Sequence, residues 1–154
     1  MRGLILAGLC LLLVPAAADA RKPRCTLRVH LEANARDGDV FSSRIPSPTT
    51  GKNVVIQKTP AISERDVVAF AAYQAADGSY GALFQLDDHG KLALDTLSVE
   101  KRGTYLYIFV NGRGVAELQI DRRVSDGKLY VASGLTPVDL GLMKKAWRVI
   151  GQKR

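Results

Sequence analysis

The sequence has few of the residue types that build most active sites and membrane anchors. Its 154 residues include two histidines and two cysteines, and aromatic residues make up only 6% of the chain. It contains no Gly-x-Ser-x-Gly, P-loop or Rossmann glycine pattern. The longest apolar run, residues 4–14, is eleven residues long, whereas a membrane-spanning helix needs about 20. We therefore expect neither a cofactor nor a membrane span, and we expect a protein that is not an enzyme.

What the N-terminus does contain is the pattern of a secretory signal peptide. Arg2 supplies positive charge, residues 4–14 are apolar, and Pro15 precedes small residues. Residues 18–20, Ala-Asp-Ala, predict cleavage after Ala20, and residues 16–18 offer an alternative site. Cys10 follows a leucine, which argues against a lipoprotein. We predict an exported protein, periplasmic or secreted, with no membrane anchor once residues 1–20 are removed.

Removal of residues 1–20 would leave Cys25 as the remaining cysteine, so no intramolecular disulfide could form. Cys25 opens an apolar alternating segment and is expected to be a small core residue, with pairing between chains as the alternative. The formal net charge is +7. A basic protein attracts anionic surfaces such as nucleic acid, phospholipid or an acidic protein.

Several segments show the period-two apolar pattern of β-strands. The segments that we predict to be strands are 26–33, 53–58, 67–74, 80–86, 105–110, 115–120 and 129–131. Asn111-Gly112 between two of them predicts a type I′ hairpin turn. Tyr105 and Tyr107 alternate with aliphatic residues, which indicates a core strand or, alternatively, a face of exposed aromatics.

Residues 34–51 are rich in turn-forming residues and contain Pro46 and Pro48, which predicts a long loop without helix. Within that loop, Phe41 and Ile45 are candidates to pin it to the core.

Helices are predicted in two places, with one further helical turn. Ser63 and Asp66 have the spacing of a capping box and predict a single turn. The first helix would begin at Asp87 or Asp88, end near Arg102 before Gly103, and present an apolar stripe of Leu92, Leu94, Leu97 and Val99. The second would be capped by Thr136, Pro137 and Asp139, continue through Leu140, Met143, Trp147 and Ile150, and stop at Gly151. The predicted fold class is α+β, with a mostly antiparallel sheet and two main helices packed on it.

Candidate catalytic or metal-binding residues are sparse. His30 and His89 are expected to be solvated surface histidines, and the only local cluster is His89 with Asp87 and Asp88. Zinc sites usually contain more histidine or cysteine ligands than this cluster offers. Capping of a helix N-terminus is a simpler explanation for the two aspartates. Cys25 and His30 would point to opposite faces of a regular strand. We assign no catalytic, metal or cofactor-binding residue.

The basic residues are the remaining functional signal. Acidic residues are interleaved with them and no RNA-binding aromatic signature occurs, so we expect no nucleic-acid partner. As candidate residues for binding a partner or an anion we select four from the region of the predicted hairpins: Arg113, Arg122, Arg123 and Lys128.

The order of these motifs resembles that of a known family. Residues 54–150 resemble the head subdomain of the first periplasmic domain in the SecD and SecF subunits of the bacterial protein-export translocase. The motifs that carry the resemblance are the turn at 58–67, the acid-Gly helix start at 86–90, Gly103, Asn111-Gly112, the turn at 126–127 and Ser-Gly-Leu-Thr-Pro-Val-Asp at 133–139. The resemblance implies a single globular domain over 25–151, with an N-terminal strand and loop at 21–52 preceding a head-like part at 53–154.

Two departures from the family pattern qualify what it implies. Residues 116–118 read Ala-Glu-Leu where the family has Ser-Ala-Pro, and no membrane-length run follows residue 20. We therefore expect a stand-alone exported copy of the head and no translocase motor. The family's head carries no catalytic residues that could be transferred.

Three functions remain open at this point. The resemblance implies a binding module for a polypeptide or partner protein, which could dock at a strand edge, near the 34–51 loop or at the hairpin around Arg113. The basic charge favours, as the alternative, docking on anionic envelope polymers or lipid. The third is an enzyme that uses His89 with Asp87 and Asp88, or His30, in a pocket.

Overall fold

The computed structural model describes residues 25–152. The predicted signal peptide lies outside the described residues. Strands and helices follow one another along the chain in this order: β1 Leu27–Leu31, α1 Gly38–Phe41, β2 Ser42–Pro46, β3 Asn53–Gln57, β4 Ile62–Ser63, a 3₁₀ turn Glu64–Asp66, β5 Val67–Gln74, β6 Tyr80–Leu86, α2 Asp88–Glu100, β7 Tyr105–Val110, β8 Arg113–Gln119, β9 Lys128–Leu135, α3 Pro137–Ala146 and β10 Arg148–Val149. The predicted α+β class is confirmed.

The strands form two four-stranded sheets and a two-stranded ribbon. The strand orders are β4-β1-β7-β8 and β10-β5-β6-β9, and β2 pairs with β3 in the ribbon. Every pairing between these strands is antiparallel except that of β10 with β5. Strands β8 and β9 are therefore the end strands of their respective sheets.

One hydrophobic core joins the two sheets and the helices. In β1 the alternation predicted from sequence holds, because Leu27, Val29 and Leu31 are buried while Arg28 is exposed. Phe70 and Phe84 from the second sheet lie in the same core. Each of these aromatic rings meets Trp147 edge-on, with centroid distances of 6.4 and 5.9 Å. Such aromatic pairs add to the burial of their surface.

The prediction of a loop at 34–51 is wrong in part. Residues 38–41 form the short helix α1, and 42–46 form β2, which pairs with β3 from Ser42↔Gln57 to Pro46↔Asn53. Pro46 is compatible with β2 because it is the last residue of the strand. Proline has no N–H to donate, and the two-stranded ribbon has no further strand beside β2 that would need one. Phe41 does not pin the segment to the core, since it is 72% exposed. Ile45 is half-buried.

The apolar stripe predicted for α2 is also partly wrong. Leu92 and Val99 are exposed, and the buried residues of the helix are Gly90, Leu94 and Ser98. A Cβ at Gly90 would lie 2.8 Å from Cβ of Asp66. Because Gly90 packs closely against Asp66, the helix face that contains residues 90, 94 and 98 is buried. Leu92 and Val99 lie on the exposed side of the helix.

The C-terminal helix is shorter than predicted. It ends at Ala146, and Arg148–Val149 form a parallel strand with Ala69 and Phe70. The N–H of Ile150 then donates to the carbonyl of Phe70 at 2.8 Å. Backbone pairing with β5 thus replaces the last helical turn, while the predicted cap by Thr136, Pro137 and Asp139 is confirmed.

The last two predicted strands are placed correctly but with other bounds: β8 begins at Arg113 instead of Val115, and β9 extends to Leu135 beyond the predicted 129–131. Asn111 and Gly112 have φ values of 52° and 78°, as the hairpin turn requires. Tyr107 is buried, which supports a core strand and contradicts an exposed aromatic face. Within residues 25–152, no helix combines the length and apolar character needed to cross a membrane.

Candidate functional site

Three of the four basic residues selected from the sequence line one cleft. The cleft has a volume of about 670 Å³, and Arg122, Arg123 and Lys128 stand at it. It lies where β8 and β9, the end strands of the two sheets, approach each other. Its apolar lining comes from both sheets and from α2: Leu83, Leu94, Leu106, Leu118 and Leu129.

Arg113 lies elsewhere and has a structural role. Its Nη1 donates to the carbonyl of Gly134 at 3.0 Å and its Nη2 to Oδ2 of Asp139 at 2.7 Å. Asn111 donates to the other oxygen of the same carboxylate at 2.8 Å. The hairpin turn is thereby tied to the N-terminus of α3. Burial alone would raise the pKa of Asp139, but hydrogen bonds from Thr136, Asn111 and Arg113 outweigh it and hold that pKa below its ordinary value.

Two of the three basic residues at the cleft are already paired with acids. Arg123 binds Asp95 through two parallel hydrogen bonds, Nε–Oδ1 at 2.6 Å and Nη2–Oδ2 at 2.8 Å. The hydrogen bonds from Arg123 lower the pKa of Asp95. Lys128 Nζ lies 3.9 Å from Oδ2 of Asp126. Among residues 25–152, Arg122 makes no ion pair.

The backbone at the cleft offers unpaired strand edges. The N–H of Ile120 donates to the carbonyl oxygen of Thr104, the residue before β7, at 2.9 Å. Backbone groups of an antiparallel strand alternate in direction, so those of Gln119 point away from β7. On the other side the N–H of Leu86 donates to Gly127 at 2.8 Å, so the backbone groups of Tyr130 point away from β6. Gln119 and Tyr130 both line the cleft.

The partial exposure of β8 fits its place at a sheet edge. All five residues from Gly114 to Leu118 are half-buried, on both faces of the strand. The hydroxyl of Ser47, at the end of the ribbon, donates to the side chain of Glu117 at 2.5 Å. The ribbon therefore holds β8 from one side. Gly134 of β9 lies against Val115, so within residues 25–152 the outer edge of β8 is open at Leu118 and Gln119, which line the cleft.

Both histidine candidates make a hydrogen bond through Nδ1. His89 Nδ1 lies 2.7 Å from Oδ1 of Asp66, and its side chain is 78% exposed. The hydrogen bond to Asp66 raises the pKa of His89. Burial alone would raise the pKa of Asp66, but hydrogen bonds from Ser63 and His89 lower it overall. Ligand atoms of Asp66, Asp87 and His89 lie within 4.8 Å of one another.

This cluster is already used by the fold. Asp66 accepts from the backbone N–H of Ser63 at 2.7 Å, and Asp87 caps α2 by accepting from Gly90 at 2.8 Å. The cluster predicted from the sequence contained Asp88, whereas the structure has Asp66 beside Asp87 and His89. Helix and turn capping accounts for the cluster without a metal.

His30 and Cys25 are also part of the framework. His30 Nδ1 lies 2.8 Å from the carbonyl of Gln57, so this nitrogen is the one that carries hydrogen. Cys25 is 2% exposed and lies in the core, as expected. Burial raises the pKa of its thiol to about 11, which keeps the sulfur protonated.

Comparison with known proteins extends the fold description. No protein-family model matches the sequence, and no curated protein does. Among solved structures, one of SecDF, described as a membrane component that enhances protein export, matches with a TM-score of 0.55 at 12% identity, covering 85% of this chain and 69% of that chain. SecDF in a super-membrane-facing form matches with a TM-score of 0.57 at 12% identity, covering 81% of this chain and 19% of that chain.

The chain thus spans about a fifth of the longer SecDF chain that it matches. At 12% identity the likeness concerns the fold. The fold resemblance predicted from the order of turns and caps is confirmed: the fold of this chain is similar to that of a part of SecDF.

Proposed function

We propose that this chain is an exported, non-enzymatic binding module that holds an extended polypeptide segment. In this proposal the segment pairs with the free edge of β8 inside the cleft. The single observation that carries the proposal is the position of two strand edges, at Gln119 and Tyr130, that have no strand partner within residues 25–152 and lie on the same leucine-lined cleft. An exposed edge with an apolar surface beside it is a recurrent way to bind extended peptides.

The chemistry of the cleft favours a main-chain ligand over an anionic one. Arg123 and Lys128 are paired with Asp95 and Asp126, so only part of the basic charge is available to a partner. Backbone hydrogen bonds would supply affinity independently of the bound sequence. Alternate side chains of the segment would contact the leucines of the cleft, namely Leu83, Leu118 and Leu129.

The SecDF-like fold supports the same class of function. SecDF is described as enhancing protein export, and a module that meets exported chains would need to accept many sequences. Edge pairing meets this requirement because every residue other than proline offers the same backbone donor and acceptor.

Amide chemical-shift mapping tests the proposal. The purified protein is titrated with a reduced and alkylated secretory protein as an unfolded test polypeptide. We expect saturable shifts concentrated at Glu117, Gln119 and Tyr130. Shifts spread over the basic surface and absent from these amides would contradict edge binding.

A second candidate is docking on anionic envelope polymers or lipid. The net charge of +7 favours it, as do exposed basic residues at the end of α3, Lys144, Lys145 and Arg148. Vesicles with and without anionic lipid distinguish it: sedimentation of the protein with anionic vesicles alone, lost at high salt, would support this function.

A further inference from the structure

A second cleft lies on the opposite face of the β1–β7 sheet from the core. It has a volume of about 500 Å³ and is covered on one side by the β2–β3 ribbon. Its apolar surface comes from both of these parts, Ile45 and Ile56 on the ribbon and Phe109 on β7. The long excursion at 34–58 thus builds a concave surface that β1 and β7 alone would lack.

The two charged side chains of this cleft, Arg28 and Lys58, are both cationic. Arg28, His30 and Lys58 line it, and among the described residues that line it there is no aspartate or glutamate. Arg28 and His30 are two positions apart in β1 and therefore project from the same face. The ring of His30 also meets Phe109 edge-on, with centroids 5.5 Å apart.

The hydrogen bonds of these groups leave capacity for a ligand. Lys58 Nζ donates to the backbone carbonyl of Asp39, which uses one of its three donors. Arg28 Nε is 4.0 Å from Oε2 of Glu64, at the limit of an ion pair, and its side chain is 56% exposed. Neither cation is neutralised as Arg123 is by its double hydrogen bond to Asp95.

We infer that this cleft binds a small amphiphilic carboxylate, such as a medium-chain fatty acid. Its acyl chain lies on the half-buried Ile45 and Phe109, with the buried Ile56 beneath them, and its carboxylate meets Arg28 and Lys58 at the rim. The cleft matches both parts of such a molecule. Its apolar side chains suit the acyl chain, and its cationic side chains, with no lining acid among the described residues, suit the carboxylate. This site is separate from the β8 edge, so it neither requires nor replaces polypeptide binding there.

Calorimetric titration with octanoate tests the inference, with 1-octanol and acetate as probes that each lack one half of the ligand. We expect saturable binding of octanoate and at least tenfold weaker binding of each partial probe. Because a charge-assisted hydrogen bond at a half-exposed site is worth a modest amount, Arg28→Gln should weaken octanoate about fivefold. Arg65→Gln is the matched control, since Arg65 is exposed and does not line the cleft.

A second variant does not touch Arg28. Ser43 lines the cleft, and Ser43→Glu would place a carboxylate inside it, so octanoate binding should fall by about tenfold or more because like charges repel. The inference is overturned if octanoate does not bind saturably, if octanol binds equally well, or if Arg28→Gln and Ser43→Glu both match Arg65→Gln.

Discussion

The two clefts of this domain use the same kinds of residue in opposite ways. At the cleft between β8 and β9, Arg123 and Lys128 are paired with acids, Arg122 makes no ion pair within residues 25–152, and the backbone of Gln119 and Tyr130 faces away from the neighbouring strands. At the cleft under the ribbon, the lining residues of the described chain include no acid. Arg28 has a 4.0 Å contact with Glu64 and Lys58 donates to the carbonyl of Asp39, so each side chain keeps further donors for a ligand.

If both proposals hold, a basic residue marks a binding site only where internal ion pairs and hydrogen bonds leave some of its donors available to a ligand. Four basic residues chosen from the sequence turned out to include three with ionic partners, Arg113, Arg123 and Lys128. The less conspicuous Arg28, on the polar face of the first strand, stands over an apolar surface. We therefore expect the first cleft to be insensitive to salt and the second to be sensitive.

The largest effect is expected where one residue supports both clefts. Asp139 holds Asn111 and Arg113, and the turn it fixes leads into β8 and places Gly112 at the second cleft. Asp139→Ala removes a buried charged acceptor and a helix cap, so we expect a loss of about 3 kcal/mol in the free energy of unfolding.

Urea denaturation measures this loss, with Glu100→Ala as the control because Glu100 is an exposed acid at the end of α2. An equal change in both variants would show that the network does not stabilise the domain. Binding of the polypeptide and of octanoate should both weaken in Asp139→Ala. Weakening at both clefts would show that Asp139 supports them through the turn and does not belong to one site alone.

The second largest effect is expected at Gly81 in β6, which lies beside the strand β9 that forms one side of the first cleft. A Cβ at Gly81 would overlap the ring of Tyr73 and the carbonyl oxygen of Ala132. The Tyr73 ring stacks on Tyr130, which lines that cleft, at a centroid distance of 5.6 Å. We expect Gly81→Ala to destabilise the fold by about 2 kcal/mol, because the ring must move.

Gly141→Ala provides the matched control for thermal denaturation. Gly141 lies in α3 and an added Cβ would meet nothing within 4 Å. Since alanine favours helix, this variant should gain about 0.5 to 1 kcal/mol. Octanoate binding should be unchanged in both variants, and a loss in Gly81→Ala would contradict the independence of the two clefts.

Salt tests the comparison directly and should have a smaller effect. Raising sodium chloride from about 0.05 to about 0.5 M should weaken octanoate binding about threefold, because the exposed charges of Arg28 and Lys58 become screened. Polypeptide binding should change by less than about twofold under the same conditions. A steeper salt dependence for the polypeptide would favour the anionic-surface function.

The smallest expected effect is a pH dependence at the start of α2, the helix that supplies Leu94 to the first cleft. Because Asp66 raises the pKa of His89 in the folded chain, the contribution of this pair is complete below the ordinary histidine pKa and lost as pH rises through the raised value. The stability difference between the wild type and His89→Gln should therefore be larger at about pH 5.5 than at about pH 8.

His30→Gln serves as the comparison, since His30 bonds a backbone carbonyl and no carboxylate. Chemical denaturation at the two pH values measures both variants. A pH-independent effect of His89→Gln would mean that the ion pair with Asp66 contributes nothing to stability.

Local signals in the sequence were sufficient for most elements. The capping boxes at Ser63 and Thr136, the Asn111-Gly112 turn and the alternation in β1 each act over a few residues, so short-range chemistry decides them. The fold resemblance followed from their order. The failures at 42–46 and at 148–149 have one cause, since β2 and β10 exist only because β3 and β5 are there to pair with them.

The clefts could not be predicted in the same way. Arg123 and Asp95 are 28 residues apart, and nothing local indicates that they meet. The free edge of β8 depends on the order of strands in two sheets, which the alternation of one strand does not encode. The capping acids Asp66 and Asp139 were visible as caps, but their second partners, His89 and Arg113, come from other elements.

Binding of the unfolded test polypeptide to Gln119→Pro, compared with Gln119→Ala, tests the central claim most directly. Proline at this position removes an N–H that points away from β7, so the sheet should tolerate it as edge strands do. Loss of the edge hydrogen bond should weaken polypeptide binding about tenfold in Gln119→Pro, while Gln119→Ala and octanoate binding by both variants stay unchanged. If both variants bind the polypeptide equally, while Gln119→Pro remains folded, then the polypeptide does not pair with β8 and the proposed function is wrong.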